Sequence, residues 1–343
     1  MKYFLTRAVA VLVVCGASMA QGHVVSAQAG GSKPAAGAQG ESPELAEADR
    51  LSAEVVKLYQ AGRYEEALPL AQQVVGVREK GLGRTHKLVA VSLLNLGAVQ
   101  QKLARYEEAR KAYRRSLAIY EEDAAANARQ VAQVLDSLAF IERDIGRAIE
   151  LHERSRELKA KAAGAESRDA AATLYPLGHL YELRGELDKA AHSFRRFVAV
   201  GEKVKLGNAS DVGAAHFRLS CLSRKKGEEA EAQKHEARGR ESFAEIPEGA
   251  SLVDAGVVNG KAISKPQPSY PEEAKRQRAQ GEVVVKILVG ESGGVLAACA
   301  ETGPALLRRA SEVAAYGARF TETTVGGKPV KVTGLITYRF VLQ

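Results

Sequence analysis

The 343-residue sequence has no tryptophan, only three cysteines and a single short apolar run near its start. Cys15, Cys221 and Cys299 are never spaced C-x-x-C, which removes zinc-ribbon and thioredoxin-like chemistry. The histidines, His23, His86, His152, His179, His192, His216 and His235, form no H-E-x-x-H or similar pair. There is no G-x-S-x-G and no dinucleotide fingerprint. The tract Gly326-Gly327-Lys328-Pro329 lacks phosphate-loop spacing and puts proline after its lysine. Catalysis needs convergent reactive groups, and none are legible, so no catalytic residue, metal ligand or cofactor is expected. The 49 basic and 41 acidic residues give +8, but the basic ones alternate with glutamates along helix-forming sequence. No basic stripe offers itself to nucleic acid.

What is present begins with a leader. Lys2 and Arg7 precede the apolar run AVAVLVVCGA at residues 8–17, followed by small-residue sites ending at Ala20 and Ala27. This is a secretory signal pattern. The run is half of the roughly 20 residues a spanning helix needs. Residues 1–27 are therefore expected to be removed, leaving no integral membrane segment and a periplasmic or secreted protein. The alternative is an inner-membrane anchor facing the periplasm. Residues 28–43, rich in Gly, Ala, Ser, Pro and Gln, read as a flexible linker. Cys221 and Cys299 are expected as two buried free thiols. A bridge between them needs their two domains docked within disulfide reach.

From residue 44 to 243 the sequence repeats itself. YEEAL, YEEAR, GRAIE, LDKAA and EAEAQ align on Ala67, Ala109, Ala148, Ala190 and Ala232, at separations of 42, 39, 42 and 42. Each repeat holds two helical segments. In the second, Leu93, Leu96, Gly97 and Val99 precede a turn at residues 104–106, and Ala109, Tyr113, Leu117 and Tyr120 follow it. The fourth carries Leu174, Leu177, Gly178, Tyr181, Gly185, Ala190, Phe194 and Phe197. This pattern resembles the tetratricopeptide repeat, in which small residues let paired helices approach and large ones fill the gaps. Gly178 and Ala190 are the expected close-contact positions. Residues 81–97 look like the longer, kinesin-light-chain-type variant. The polar fifth repeat, from His216 to Gly239, reads as a cap for an open end. About five repeats are expected, offering a surface for a protein or peptide.

Residues 244–264 read as a linker, after which the period changes. Tyr270-Pro271 opens a helix running towards Gly281. EVVVKILV (282–289) alternates as a strand, GESGG turns, and VLAACAE (295–301) returns with Val295, Ala297 and Cys299 on one face. ALLRRASEVAAYGARF (305–320) reads as a helix burying Leu306, Ala310, Val313 and Ala314, closed by Phe320. The last strand spans 329–342, with Val330, Val332, Ile336, Tyr338, Phe340 and Leu342 on one face.

The ordered set of Tyr270-Pro271, Gly281, the Gly-rich hairpin, Arg319-Phe320 and the final strand resembles the C-terminal domain of the TonB family over residues 265–343. The resemblance implies two helices on a three-stranded antiparallel sheet, hence an all-α tetratricopeptide array followed by a small α+β domain. It also implies capture of an outer-membrane receptor segment as an added strand, with main-chain hydrogen bonds giving affinity. The edge then comprises Val332, Thr333, Leu335, Thr337, Tyr338, Arg339 and Val341, with Gln267, Tyr270 and Pro271 in the lead-in. The expectation is a non-catalytic periplasmic adaptor, linked to transport across the outer membrane. Two alternatives stand beside it. One is an anchored transducer; the other is a structural envelope protein that self-associates through its C-terminal domain.

Overall fold

The computed structural model describes residues 42–204, 209–244, 253–257, 261–325 and 328–342. The expected leader and nearly all of the first linker lie outside the described residues. Helices α1 (Pro43–Gln60), α2 (Tyr64–Leu82), α3 (Lys87–Lys102), α4 (Tyr106–Glu121), α5 (Ala128–Phe140) and α6 (Ile145–Ala163) form three hairpins. Then come α7 (Arg168–Ala172), α8 (Leu174–Arg184), α9 (Leu187–Val204), α10 (Ala209–Lys225) and α11 (Glu229–Ala244). The pairs α8/α9 and α10/α11 complete five hairpins. Ser42 caps α1 by accepting the Leu45 N–H at 3.3 Å, with Pro43 ideally placed as the first helical residue. The fourth repeat's first helix is broken at Thr173. Pro176 has no N–H to return to the carbonyl four residues earlier. The chain divides at this point into two compact units.

In the unit ending at Thr173 the hairpins close as the small residues predict. A Cβ on Gly97 would sit 2.5 Å from the Tyr113 ring, so only hydrogen fits there. Tyr113 is buried and donates to Gln101 Oε1 at 2.7 Å. Ala67, Ala109 and Ala148 are buried at the equivalent positions of successive second helices. Arg78 is wholly buried and held by Asp49 and Ser92. His152 is a packed histidine: its Nδ1 lies 3.0 Å from Asp136, which also takes Lys159.

From Leu174 onward, a second unit combines four helices with the C-terminal α/β elements. Gly178 needs the same close approach, its absent Cβ lying 2.8 Å from Phe194. Ala190, Phe194, Tyr181 and Ala232 are buried. The remaining elements are β1 (Val253–Val257), β2 (Ala262–Ser264), α12 (Glu272–Arg276), β3 (Gly281–Val289), β4 (Val295–Thr302), α13 (Ala305–Tyr316), β5 (Arg319–Phe320), β6 (Thr324–Val325), β7 (Lys328–Pro329) and β8 (Val332–Phe340). The main sheet runs β1-β8-β3-β4. Its β8-β3-β4 core is antiparallel, and β1 joins β8 in parallel. β2 pairs with β5, and β6 with β7.

Several expectations need correction. The helix after Pro271 is only five residues long, because Arg278 turns into the left-handed region at φ 51°. Helix α13 stops at Tyr316, and Phe320 closes the core from strand β5 instead. Leu307 and Ala315 are the fully buried apolar residues of α13 and Ala314 is buried beside them, while Leu306 and Ala310 pack at the margin. Val295 does not share a face with Ala297 and Cys299. The ladder shifts register between Leu288 and Val289, so Val295 joins Ala298 and Ala300 in the core beneath α13. Residues 244–264 hold two strands rather than serving as linker alone. The fifth repeat is no open cap: Arg218, Ser220 and Ser223 of α10 are buried, and α10 packs on β4.

The tight turns between paired helices test this reading. Gly62, Gly185 and Gly227 hold φ of 75°, 82° and 77°, and Ala104 occupies the same place at φ 57°. Ala104→Gly should raise the stability of this region by about 1 kcal/mol, since alanine is strained there. Gly97→Ala should lower it by about 1–3 kcal/mol through overpacking against Tyr113, despite alanine's helix preference. Urea unfolding of the two variants checks both signs.

Candidate strand-docking edge

β8 is built for two different sides. Val332, Ile336, Tyr338 and Phe340 point into the domain's core, and Leu335, Thr337 and Arg339 alternate outward as exposed residues. Tyr338 is 1 % exposed, burial pushes its hydroxyl up to about 12, and that hydroxyl finds no hydrogen-bond partner among the described residues. Thr333 is buried, and Val341 lies exposed one residue beyond the strand. Lys265 Nζ donates to the Thr337 carbonyl at 3.0 Å and sits 5.2 Å from the centre of the Tyr338 ring. That contact fixes the polarity of the strand. The Thr337 carbonyl faces away from β3, and the Leu335 and Arg339 backbones, two residues to either side, face the same way.

The edge is partly taken. Val253, Asp254 and Val257 register with Val332, Thr333 and Leu335. The chain's own β1 therefore lies along the first half of the expected docking edge, and Lys265 caps a carbonyl in the second half. Of the lead-in residues, Tyr270 packs edge-on against Phe340 at 5.3 Å and donates to the Ala279 carbonyl at 2.5 Å. Pro271 caps α12, whereas Gln267 is exposed. Sequence reasoning missed both β1 and Lys265. The run VDAGV was a weak signal, because its Gly and Asp are poor strand formers.

The opposite face of the sheet is committed to the last repeats. Cys221 of α10 and Cys299 of β4 form a disulfide, with Cα atoms 5.8 Å apart. This corrects the expectation of two free thiols; the docking that such a bond requires is present within this unit. Beside it, Arg218 donates to the Ala298 carbonyl at 3.0 Å, to Tyr316, to Glu182 and to His179 Nδ1 at 3.1 Å. Lys225 joins Glu182 at 3.2 Å and Glu312 at 3.0 Å, and Glu312 accepts the Ala300 N–H at 2.8 Å. Further out, Lys286 pairs with Glu236 at 2.8 Å. Burial alone would raise the Glu182 carboxyl, but Arg218 and Lys225 beside it hold it below its ordinary value. Burial, then Arg218, lowers His179 from 6.5 to about 3, so its imidazole stays neutral and accepts from Arg218. A buried arginine, two carboxylates and a lysine satisfy one another here, which is the condition for a buried charge to be tolerated.

Comparison with known proteins now bears on each half. A tetratricopeptide repeat model matches residues 51–122, and the model of the Gram-negative bacterial TonB protein C-terminal matches residues 266–342. The chain joins tetratricopeptide repeats to a TonB C-terminal domain. The repeats also find solved structures of like fold. BtubC (BKLC) from P. vanneervenii has 20 % identity and a TM-score of 0.54, covering 61 % of this chain and 87 % of its own. A putative kinesin light chain with nearly identical TPR-like repeats from Podosopora anserina has 21 % identity and a TM-score of 0.51, covering 60 % and 98 %. The apo form of RapI has 18 % identity and a TM-score of 0.52, covering 58 % and 71 %. A search of curated proteins gave no match. The TonB-type domain adds to its three-stranded core the parallel β1. Among the described residues, no helix is long and apolar enough to cross a membrane.

The junction predicts an acid response. His179 is lowered in the folded chain, so its contribution is complete above about pH 6.5 and is lost as the pH falls towards 3. His235, lowered to about 4 chiefly by burial, acts in the same direction. The buried His179 changes stability by up to about 1.4 kcal/mol per pH unit, and the half-buried His235 by less because solvent screens it. The guanidinium midpoint should fall between pH 7 and pH 4, and His179→Gln should flatten part of that slope. An unchanged midpoint across this range would contradict the assignment.

Proposed function

We propose that this protein is a non-catalytic adaptor of the bacterial envelope, whose repeats bind a protein partner and whose TonB-type domain takes a partner segment as an added strand on β8. The observation that carries the reading is the parallel pairing of β1 with β8: this edge already holds a strand by main-chain contacts. Main-chain recognition is tolerant of sequence, and the exposed Leu335, Thr337 and Arg339 beside it supply selectivity. Two further observations favour export. The N-terminal sequence has the form of a leader removed at Ala20 or Ala27. The Cys221–Cys299 bond belongs in an oxidising compartment such as the periplasm. The TonB-type match supports an outer-membrane receptor segment as the partner, with the adaptor working beside transport across that membrane.

The same bond favours a soluble adaptor over a motor-driven transducer. It ties the domain to α10 of the repeats, where a transducer's domain is commonly joined through a long spacer. Strand capture is tested by a photo-reactive residue at position 339 of the full chain in a producing Gram-negative cell. Irradiation should give a discrete adduct with an envelope protein. Thr337→Pro in the same chain removes an outward N–H without touching the β3 ladder, and should reduce the adduct at least tenfold. An adduct that survives Thr337→Pro undiminished would sink β8 as the docking edge.

A further inference from the structure

The pairing of β1 has a consequence for how the edge is used. β1 meets β8 over Val332 to Leu335, in parallel, and the chain that follows it returns to the domain as β2, paired with β5. Lys265, one residue past β2, then covers the Thr337 carbonyl. A single stretch of chain thus occupies both halves of the edge, once with a strand and once with an ammonium group. Edge strands in natural proteins are protected by such devices, lysine among them. Here the covering strand is not part of the antiparallel core. It is held on one side only and precedes the matched domain, which begins at residue 266.

We infer that β1 is a resident strand that a partner must replace: an intramolecular competitor which sets both the direction and the affinity of capture. The inference rests on the strand-capture reading above and deepens it. The occupant it implies is an extended segment of another protein, running parallel to β8 and entering at the Val332 end. The register shift between Asp254 and Val257 marks where the resident strand fits the edge least well. A competitor tethered by a short linker acts at an effective concentration in the millimolar range. The free edge is then a minor state, and a partner's apparent affinity falls by the fraction of molecules in which β1 is released. Lys265 adds a second contact that the incoming strand displaces when it extends past Leu335.

The test uses the full chain and a fluorescent synthetic peptide with the sequence of residues 251–259, SLVDAGVVN, followed by anisotropy to millimolar protein. The variant Ala255→Pro/Gly256→Pro removes two consecutive donors, so that one facing β8 is lost whichever way they alternate. The peptide should bind this variant about tenfold or more tightly than the unaltered chain. Adding Thr337→Pro and Leu335→Pro should abolish binding to both forms. Circular dichroism and an intact Cys221–Cys299 bond by mass confirm that each variant folds. Equal affinity for the two chains overturns the resident strand and leaves strand capture standing. Binding to neither chain overturns both.

Discussion

The Cys221–Cys299 bond and the Arg218 cluster around it decide how the C-terminal sheet is spent. A small sheet has two faces; here one is closed by the domain's own core and the other is covered at Cys299 and Lys286 but left exposed along β8. One closes over Val283, Val285, Ile287 and the residues of α13. The other, carrying Lys286 and Cys299, meets α10 and α11. A buried arginine with all its neighbours satisfied is expensive to disturb, because removing one partner strands the other charges in a dry interior. The covalent bond, closing a loop of 78 residues, adds stability by limiting the unfolded chain. What β8 still offers a partner is backbone along its outer side, with the exposed Leu335, Thr337 and Arg339 beside it.

This division of labour explains why the last repeat is so unlike the others. A terminal repeat exposed to water needs a polar outer face. The polar residues of α10 look like that cap in sequence, yet Arg218, Ser220 and Ser223 are buried. Arg218 uses its polarity inside the chain, donating to the Ala298 carbonyl of the sheet. The repeats and the TonB-type domain are therefore not independent modules on a string: the fourth and fifth hairpins and the sheet form one compact unit.

Much of this was legible from residue patterns. The spacing of 42, 39, 42 and 42 residues between Ala67, Ala109, Ala148, Ala190 and Ala232 marks hairpins whose geometry forces small residues at each crossing, and Gly97 and Gly178 follow from the same constraint. The alternation of β3 and β8 gave their core faces because one buried face fixes strand register. Other features were not legible because they depend on contacts between distant segments. The disulfide requires docking that no local pattern encodes. The β4 bulge moves Val295 to the other face, with the extra residue Leu296 lying over Gly290. Strand β1 reads as linker because a five-residue segment with Gly and Asp acquires its conformation from β8 rather than from its own preferences. Of the candidate edge, the outward residues Leu335, Thr337 and Arg339 were identifiable from alternation alone, while Lys265, seventy-two residues from Thr337, was not.

The central claim is that β8 is an accepting edge, half covered by strand β1 and half capped by Lys265 at the Thr337 carbonyl, where its amides stay open to a partner. The most direct measurement is amide hydrogen exchange along β8 by NMR on the full chain without a partner. The account predicts a protected Thr333 amide under β1 and a rapidly exchanging Thr337 amide, whose carbonyl alone is capped. A Thr337 amide as slow as that of Val285 in the central strand would mean that the edge is closed throughout, and the account would be wrong.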